Sequence, residues 1–573
     1  MNMVEETAVR PSVEKPWLKH YTKEAVDAKV PESTIYEYLL EQNRGRLDFA
    51  ALNYYDRIIT YRTLFQEIEK AAKGLSSLGV KQGDAIGVCA VSFPEVIYML
   101  YAANRLGAVI NFIDPRTSAE GIINYLTEAD SKVLVTMDAC VSKIEQLREK
   151  AGLERVISIS PANSLSVTQK FLYRLKNKPV NFPNSVYVSW RKFIDLGERS
   201  LFEQAEYRPD SGCIIAHTGG TTGTPKGVLL SNENLNSVAV GYSKVGVDFE
   251  PGQRILNIMP PFVAYGCVVG IHGALSMGWE DILVPSFGPD SMAKLIMKYR
   301  PNHFAGVPTH ITTLMDSKEL EDKDLSFLIS IGVGGDSLTE EASKKINAYL
   351  KERGCPYKVA PGYGMTESSA TVCACMGDRN REGSGGLPMP LANIKIVDPD
   401  TGEELGYNEQ GLIMIGGAGV MLGYYKNTDE TEKVISVDSY GSRWMNSGDI
   451  GYVDEDGFVY VSGRMKRMII RHDGFKVFPT SIENTIMKDI AVKGCCVIGI
   501  RDTAHSQGHL PKAVIELSDM ADASDVMARV KRLCELELPE YAIPVAFETI
   551  ERLLVTLIGK VDYRSLETRS RAQ

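Results

Sequence analysis

Between Tyr61 and Leu78, apolar side chains recur at Phe65, Ile68, Ala71, Ala72, Leu75 and Leu78, a spacing that places them on one helical face. Gly79-Val80 ends that helix, and Lys81-Gln-Gly-Asp84 reads as a turn. The apolar run Ala85–Val91 then predicts a buried strand, followed by a helix over Pro94–Leu106 and a strand over Ala108–Ile113. Strand and helix alternating at this pitch imply a parallel sheet with crossover helices. The same texture resumes with strands expected at Ile255–Ile258, Asp281–Val284, His303–Val307 and Leu328–Val333.

From about 385 to 465 the pattern changes to short alternating strands with Gly/Asp turns. Ile394–Val397, Leu412–Ile415, Gly451–Asp454 and Phe458–Val461 are its strands, and Asp454-Glu-Asp-Gly457 is a hairpin turn. A mixed segment follows, with strands near Met468–Arg471, Gly494–Ile500 and Ala513–Leu517. The expected boundary lies near 465, giving an α/β domain over 1–465 that ends in a small β-rich part, and an α+β domain over 466–573.

The length of 573 residues suits that division, since one ordinary core would not organise so long a chain. Lys and Arg number 63 against 73 Asp and Glu, a net charge of −10, which argues against a generally cationic nucleic-acid-binding surface. No uncharged apolar run approaches the roughly 18–20 residues of a membrane helix, and the opening Met1–Thr7 has acids where a secretory signal has an apolar core. Ten cysteines in such a length do not form a disulfide framework, and neither Cys373-Ala-Cys375 nor Cys495-Cys496 has C-x-x-C spacing. The expectation is a soluble cytoplasmic protein. One stretch departs from the average. Arg155, Lys170, Arg174, Lys176, Lys178, Arg191 and Lys192 occur with no acid from 155 to 192, and Phe171, Leu172, Tyr173 and Leu175 are interleaved. It reads as a solvated insertion loop, or as an amphipathic element for peripheral contact with anionic lipid at the inner membrane face.

The strongest chemical signal is His217-Thr-Gly-Gly-Thr-Thr-Gly-Thr-Pro-Lys-Gly-Val228, directly after the apolar Cys213–Ala216. Glycines let backbone N–H groups approach an anion, and hydroxyls and Lys226 add donors, so the loop suits a phosphate. It is not a Walker A loop, because Lys226 lies between Pro225 and Gly227. A P-loop kinase is thereby excluded.

This string resembles the phosphate loop of the adenylate-forming enzymes, the superfamily of acyl-CoA synthetases, peptide-synthetase adenylation domains and beetle luciferases. The resemblance runs from about Thr60 to Leu566. After Thr218–Gly227 come Gly362-Tyr-Gly-Met-Thr-Glu367, Ser447-Gly-Asp449, Gly463-Arg464 and Gly559-Lys560-Val-Asp562, in the family's order.

The resemblance implies doubly wound α/β subdomains, a mobile C-terminal domain, and attack of a carboxylate on the α-phosphorus of ATP. Two anions must meet, so charge neutralisation and alignment dominate. By that resemblance Thr218, Gly219, Gly220, Thr221, Thr222, Gly223 and Lys226 hold the β- and γ-phosphates. Tyr363 lies against adenine between Gly362 and Gly364. Thr366 bonds the α-phosphate, Glu367 binds Mg²⁺, and Asp449 takes the ribose hydroxyls with help from Arg464. Lys560 bridges carboxylate and α-phosphate. Lys466 is the hinge, and Gly474, Phe475 and Lys476 line the thiol channel once the small domain turns.

Two departures stand out. Pro260-Pro-Phe-Val263 has Val263 where the family often has histidine, and Leu554-Val555-Thr556 replaces the usual Pro-Lys/Arg-Thr. Val263, Gly266, Gly334 and Gly335 are the expected acyl-pocket positions, with Gly332 beside them. The expected reaction makes a medium- or long-chain acyl-AMP and passes the acyl group to coenzyme A. Loading an aryl or amino acid onto a carrier protein, or non-catalytic sensing of acyl-AMP or AMP, are the alternatives.

Overall fold

A computed structural model describes residues 10–572 apart from 147, 178, 179, 181, 219–225, 286–288, 506, 519, 520 and 557–559. The fold is mixed α/β, a large N-terminal part joined to a smaller C-terminal one. Among the described residues, the first large sheet has eight strands, and its centre is parallel: Gly212–His217, Val109–Phe112, Ala85–Cys89, Val133–Met137, Arg155–Ile159 and Tyr187–Ser189, in that spatial order. Gly227–Ser231 joins Gly212–His217 antiparallel, and Gly423–Tyr424 adds the outer edge.

The second sheet runs parallel through Ala360–Tyr363, Ser330–Val333, His303–Gly306, Arg254–Asn257, Glu280–Leu283 and Ala50–Tyr54. Arg254–Asn257, Glu280–Leu283, His303–Gly306 and Ser330–Val333 fall within one or two residues of the apolar runs expected there, whereas Ala50–Tyr54 and Ala360–Tyr363 had no such expectation. Glu280–Leu283 and His303–Gly306 are buried throughout, as expected where helices cover the faces of a parallel sheet.

Helix Pro94–Arg105 is buried along all of its length but the last residue, with proline at its first turn. It contributes Met99 and Tyr101 to one apolar cluster that also holds Leu52 of the second sheet and Ile86, Val88, Ile110 and Ile214 of the first. Both sheets therefore share a core. Helix Tyr61–Ser77 packs on the same cluster through Leu64, Ile68, Ala71, Ala72 and Leu75. Thr60 caps it by accepting from Thr63 N–H, and Gly79 at φ +79° carries the chain out of it.

A third, antiparallel sheet sets Ala392–Val397, Gly411–Gly417 and Arg443–Val453 side by side, with Val459–Arg464 pairing the last of them. The Asp454–Gly457 turn closes that hairpin, its Asp454 carboxylate accepting from Asp456 N–H and Phe458 N–H. The chain leaves this sheet through the 3₁₀ turn Met465–Arg467. Beyond it, Val492–Arg501, His509–Leu517 and Ala546–Ile550 form a separate sheet covered by helices Pro479–Ile486 and Ala523–Glu537, with its own core around Ile482, Val497, Ile515 and Val530.

Two regions differ from the sequence reading. Tyr265–Gly273 winds as a π-helix, a conformation that apolar periodicity does not reveal. The cationic stretch is not a plain loop, because it contains helix Val167–Lys176, whose Ser166 and Gln169 form a capping box. None of that helix is buried. No helix among the described residues is long and apolar enough to cross a membrane.

Candidate active site

The polar residues singled out by the motifs meet where the two large sheets, the antiparallel sheet and the C-terminal part adjoin. Asp449 and Arg464 sit opposite each other on paired strands, and Arg464 Nε donates to Asp449 Oδ1 at 2.9 Å. Tyr363 Oη donates to Asp449 Oδ2 at 2.9 Å. The Asp449 side chain is only 10% exposed, and Ser447 fixes its backbone by accepting from Asp449 N–H at 3.0 Å. A carboxylate has about four acceptor sites, so two remain for a diol. Burial, then the charge of Asp449, pushes the Tyr363 phenol far up, and it stays protonated as a donor.

Gly364 is required by space: a Cβ there would fall 2.1 Å from the carbonyl oxygen of Ala370. The backbone folds this tightly because Ser369 and Ala370 both adopt positive φ, +57° and +82°, behind the short 3₁₀ turn Thr366–Ser368. Strain of this kind concentrates at functional sites. Glu367, on that turn, accepts from Tyr424 Oη at 3.0 Å.

Thr218 and Lys226 close the base of the phosphate loop. Thr218 N–H donates to the Lys226 carbonyl at 3.0 Å, and Lys226 N–H returns a bond to Thr218 Oγ1 at 3.2 Å. Gly219, Gly220, Thr221, Thr222 and Gly223 lie outside the described residues. Lys226 Nζ pairs with Glu430 and lies 4.6 Å from the centre of the Tyr424 ring. Tyr424 and Glu430 thus tie the loop to Glu367, although no motif pointed to either. His217 is half-buried and neutral, its pKa lowered to about 4 by desolvation, and it stacks on Tyr125 with ring centres 3.9 Å apart.

Lys560 enters from the C-terminal part. Thr556 N–H donates to the Lys560 carbonyl, Lys560 N–H donates back to Thr556 Oγ1, and Val555 bridges Val561. Val561 N–H donates to Asp336 Oδ2 at 3.1 Å, docking this turn on the loop after Ser330–Val333. A Cβ on Gly335 (φ +83°) would lie 3.4 Å from Lys560 Cε and 3.8 Å from its Nζ. Burial lowers the lysine pKa, and the charge of Asp336 resists that shift.

Lys560 borders a cavity that also touches Thr366, Gly334 and Gly335 at one end and runs inward past Val263, Tyr265 and Ala305. It is the one charged residue among the described lining residues. Val263, Gly334 and Gly335, all expected at an acyl pocket, line this cavity. Gly266 does not. It faces the backbone carbonyls of Met259 and Pro260, where a Cβ would approach to 2.6 and 2.2 Å, and its neighbour Tyr265 lines the cavity instead. The cause is the π-helix, which turns Gly266 into the preceding loop.

Lys466 is exposed in the 3₁₀ turn between the two parts. Gly474 and Phe475 occupy an exposed turn after strand Ile469–Ile470, and Lys476 begins its partner Lys476–Val477; none is among the described lining residues of the cavity, and Phe475 stacks on Tyr541 at 4.5 Å. Next to that turn, His472 and His505 both approach Asp502 Oδ2, at 3.0 and 2.8 Å. Their rings are parallel within 5° and 3.4 Å apart, so a metal ion could not lie in both ring planes.

Residues 39–425 match the family described as AMP-binding enzyme, and residues 481–560 match its C-terminal domain. The chain belongs to the AMP-binding enzyme family. This AMP-binding enzyme is 27% identical to a long-chain-fatty-acid–CoA ligase of Bacillus subtilis (strain 168), covering 96% of this chain and 98% of the relative. It is also 27% identical to a probable 4-coumarate–CoA ligase 1 of Dictyostelium discoideum, covering 92% and 91%. Its fold is similar to the crystal structure of the anthranilate CoA ligase AuaEII in complex with anthranoyl-AMP, with a TM-score of 0.81 at 22% identity over 96% of this chain and all of that one.

Proposed function

We propose that this enzyme activates a carboxylic acid with ATP and passes the acyl group to coenzyme A. The observation that supports this best is Lys560, the one charged residue among the described residues lining the cavity, which Thr366 and Gly335 line with it. An acid with its tail in the cavity presents its carboxylate to that ammonium. A carboxylate oxygen then attacks the α-phosphorus, a P–O bond to the β-phosphate breaks, and pyrophosphate leaves with the electron pair. Lys560 offsets the repulsion of the two anions as they join.

In this reading Tyr363 flanks adenine, Asp449 and Arg464 hold the ribose, Thr366 bonds the α-phosphate, and Thr218 and Lys226, with the loop 219–223, hold the outer phosphates. Mg²⁺ fits Glu367, because this ion takes one or two protein carboxylates and completes its shell from phosphates and water. The ion would neutralise phosphate charge there. Glu367 positions it, and Tyr424 orients Glu367.

The second step needs a thiol at the acyl carbon, with AMP as leaving group. Lys466 is our hinge, and its turn would swing Gly474, Phe475 and Lys476 into the place that the Lys560 turn vacates. An apolar lining and relatives named as long-chain-fatty-acid–CoA ligases support a medium- or long-chain acid. Helix Val167–Lys176 adds a docking face: Phe171 and Leu175 are 63% and 68% exposed beside Lys170, Arg174 and Lys176. We assign it to an anionic bilayer, the source of such acids. Vesicles rich in anionic phospholipid should retain the enzyme, and a Phe171→Ser/Leu175→Ser variant should wash off; equal retention of both would remove this part.

Acid-dependent ATP–pyrophosphate exchange across fatty, aryl and amino acids tests the whole reading, followed by comparison of coenzyme A with a carrier protein as acceptor. Exchange with fatty acids and transfer to coenzyme A is the expected result. Exchange confined to aryl or amino acids, or transfer only to a carrier, would move the enzyme to carrier loading. Exchange with none would leave an AMP-binding sensor.

A further inference from the structure

The inner end of the acyl cavity carries chemistry that a plain hydrocarbon tail does not use. His303 and Trp279 both line it, and they are 2% and 3% exposed. Their rings stack with centres 3.6 Å apart and planes within 6°, and Phe249 meets both edge-on at 4.9 Å. His303 Nδ1 and Trp279 Nε1 have no hydrogen-bond partner in the protein. Buried polar groups are nearly always paired, so two unpaired ones in one stacked pair call for an explanation.

Their hydrogen-bonding roles follow from Gln253. Its Nε2 donates to the Asp248 carbonyl at 2.7 Å, and its Oε1 accepts from Glu250 N–H at 3.0 Å, which orients the amide. That same Oε1 lies 2.8 Å from His303 Nε2, so Nε2 carries the hydrogen. Burial lowers the imidazole pKa to about 3, so the ring is neutral. His303 Nδ1 is therefore an acceptor, and Trp279 Nε1–H is a donor. A hydroxyl has the chemistry to meet both, donating to Nδ1 and accepting from Nε1–H, with each bond bent out of its ring plane because the two rings lie parallel and 3.6 Å apart. A carbonyl oxygen satisfies only the donor, and a second carboxylate would face a lone pair with no cation at that end of the lining.

Position along the sheet fits this reading. His303 lies in register with Ser330, four residues before Gly334, while Gly334 and Gly335 border Lys560. At about 3.3 Å per residue, the stacked pair is roughly 13 Å below the reacting end. Met277 and Met259 line the cavity too, and thioether side chains yield readily to an entering chain.

We propose that His303 and Trp279 form a subsite for a hydroxyl group at the distal end of the substrate, making hydroxy acids the preferred class. This rests on the acid-activating reading of the same cavity. The test compares kcat/KM for pyrophosphate release with octanoate, decanoate and dodecanoate, their ω-hydroxy counterparts and the matching dicarboxylates. At one chain length or more, the hydroxy acid should exceed the plain acid by about 10²-fold, because a site built to bond a hydroxyl rejects the analogue that lacks it. The dicarboxylates should be the poorest of the three.

His303→Phe and Trp279→Phe, each checked for an unaltered melting transition, should shrink the hydroxyl preference to within a few-fold. The wild-type panel stands alone if either variant fails to fold. Equal use of hydroxy and plain acids would overturn the subsite, with water as the partner of both rings, while leaving acid activation intact. Release with no acid of any series would overturn acid activation itself, and the subsite with it.

Discussion

On the side of the cleft proposed for the nucleotide, polar groups are tied to one another: Tyr363 and Arg464 both bond Asp449, Lys226 pairs with Glu430, and Tyr424 bonds Glu367. On the side proposed for the acid, glycine, valine, methionine and aromatic rings form most of the wall, and Lys560 is the one charged residue among the described lining residues. The first half gains orientation from bonds made within the protein, at the cost that a ligand must share or displace them. The second gains adaptability, because apolar contacts are non-directional and methionines repack. Nucleotide recognition should therefore be brittle to single substitutions, and acid recognition graded.

Short of removing Lys560, the largest effect is expected from Asp449→Ala. It deletes the proposed ribose acceptor and leaves Arg464, whose side chain is 39% exposed, without its partner, a loss below the ~3–5 kcal/mol of a fully buried pair because water can reach the remaining charge. Steady-state kinetics should give kcat/KM for ATP lower by at least about 10²-fold, with a lower melting temperature. A variant with normal ATP kinetics would dissolve the contrast between the two halves.

Gly335→Ala probes the acyl side. It forces alanine to φ +83°, which costs about 1–2 kcal/mol, and sets a methyl against Lys560 Cε. Adenylation should slow by about tenfold with KM for ATP little changed. A loss confined to ATP affinity would place Gly335 on the wrong half.

A smaller effect comes from Glu430→Gln, which releases Lys226. KM for ATP should change by no more than about fivefold, the scale of exposed pairs. Lys226 and Lys433 hold the Glu430 carboxyl down at about 2. Its contribution to stability is thus complete above the ordinary carboxyl pKa and is lost only as pH falls towards 2.

The smallest effect is on pH dependence. Burial lowers the Lys560 pKa, so adenylation should fail on the alkaline side earlier than an ordinary lysine would allow. Because the Asp336 charge raises that pKa, Asp336→Asn should move the alkaline limb further down. Exchange rates measured across alkaline pH decide it, and an unmoved limb would separate Asp336 from the lysine. The same lowered pKa means that protonated Lys560 costs the fold, so its contribution to stability improves as pH rises between the lowered value and the ordinary one.

This contrast also explains what could be read from residues alone. The nucleotide motifs are local strings whose glycines, hydroxyls and charges sit close together in the chain, so Tyr363, Glu367, Asp449 and Lys560 could be named before the fold was known. Parallel strands such as Ala85–Cys89 announced themselves as apolar runs, because both faces are covered. The acyl cavity is different. Its wall comes from side chains on separate strands and a π-helix, and each looks like an ordinary core residue. Gly266 was misplaced for that reason, and His303 and Trp279 gave no signal, since their unpaired nitrogens exist only in the assembled cavity. Tyr424 and Glu430 escaped notice because their partners lie 57 and 204 residues away in the chain.

In the proposed mechanism Lys560 reaches the reacting atoms in one arrangement and leaves them in the other. Lys560→Ala should be measured in the two half-reactions separately. Acid-dependent ATP–pyrophosphate exchange should fall by about 10²–10³-fold or more, while transfer from supplied acyl-adenylate to coenzyme A should stay within a few-fold of wild type. Undiminished exchange, or equal loss in both halves, would contradict it.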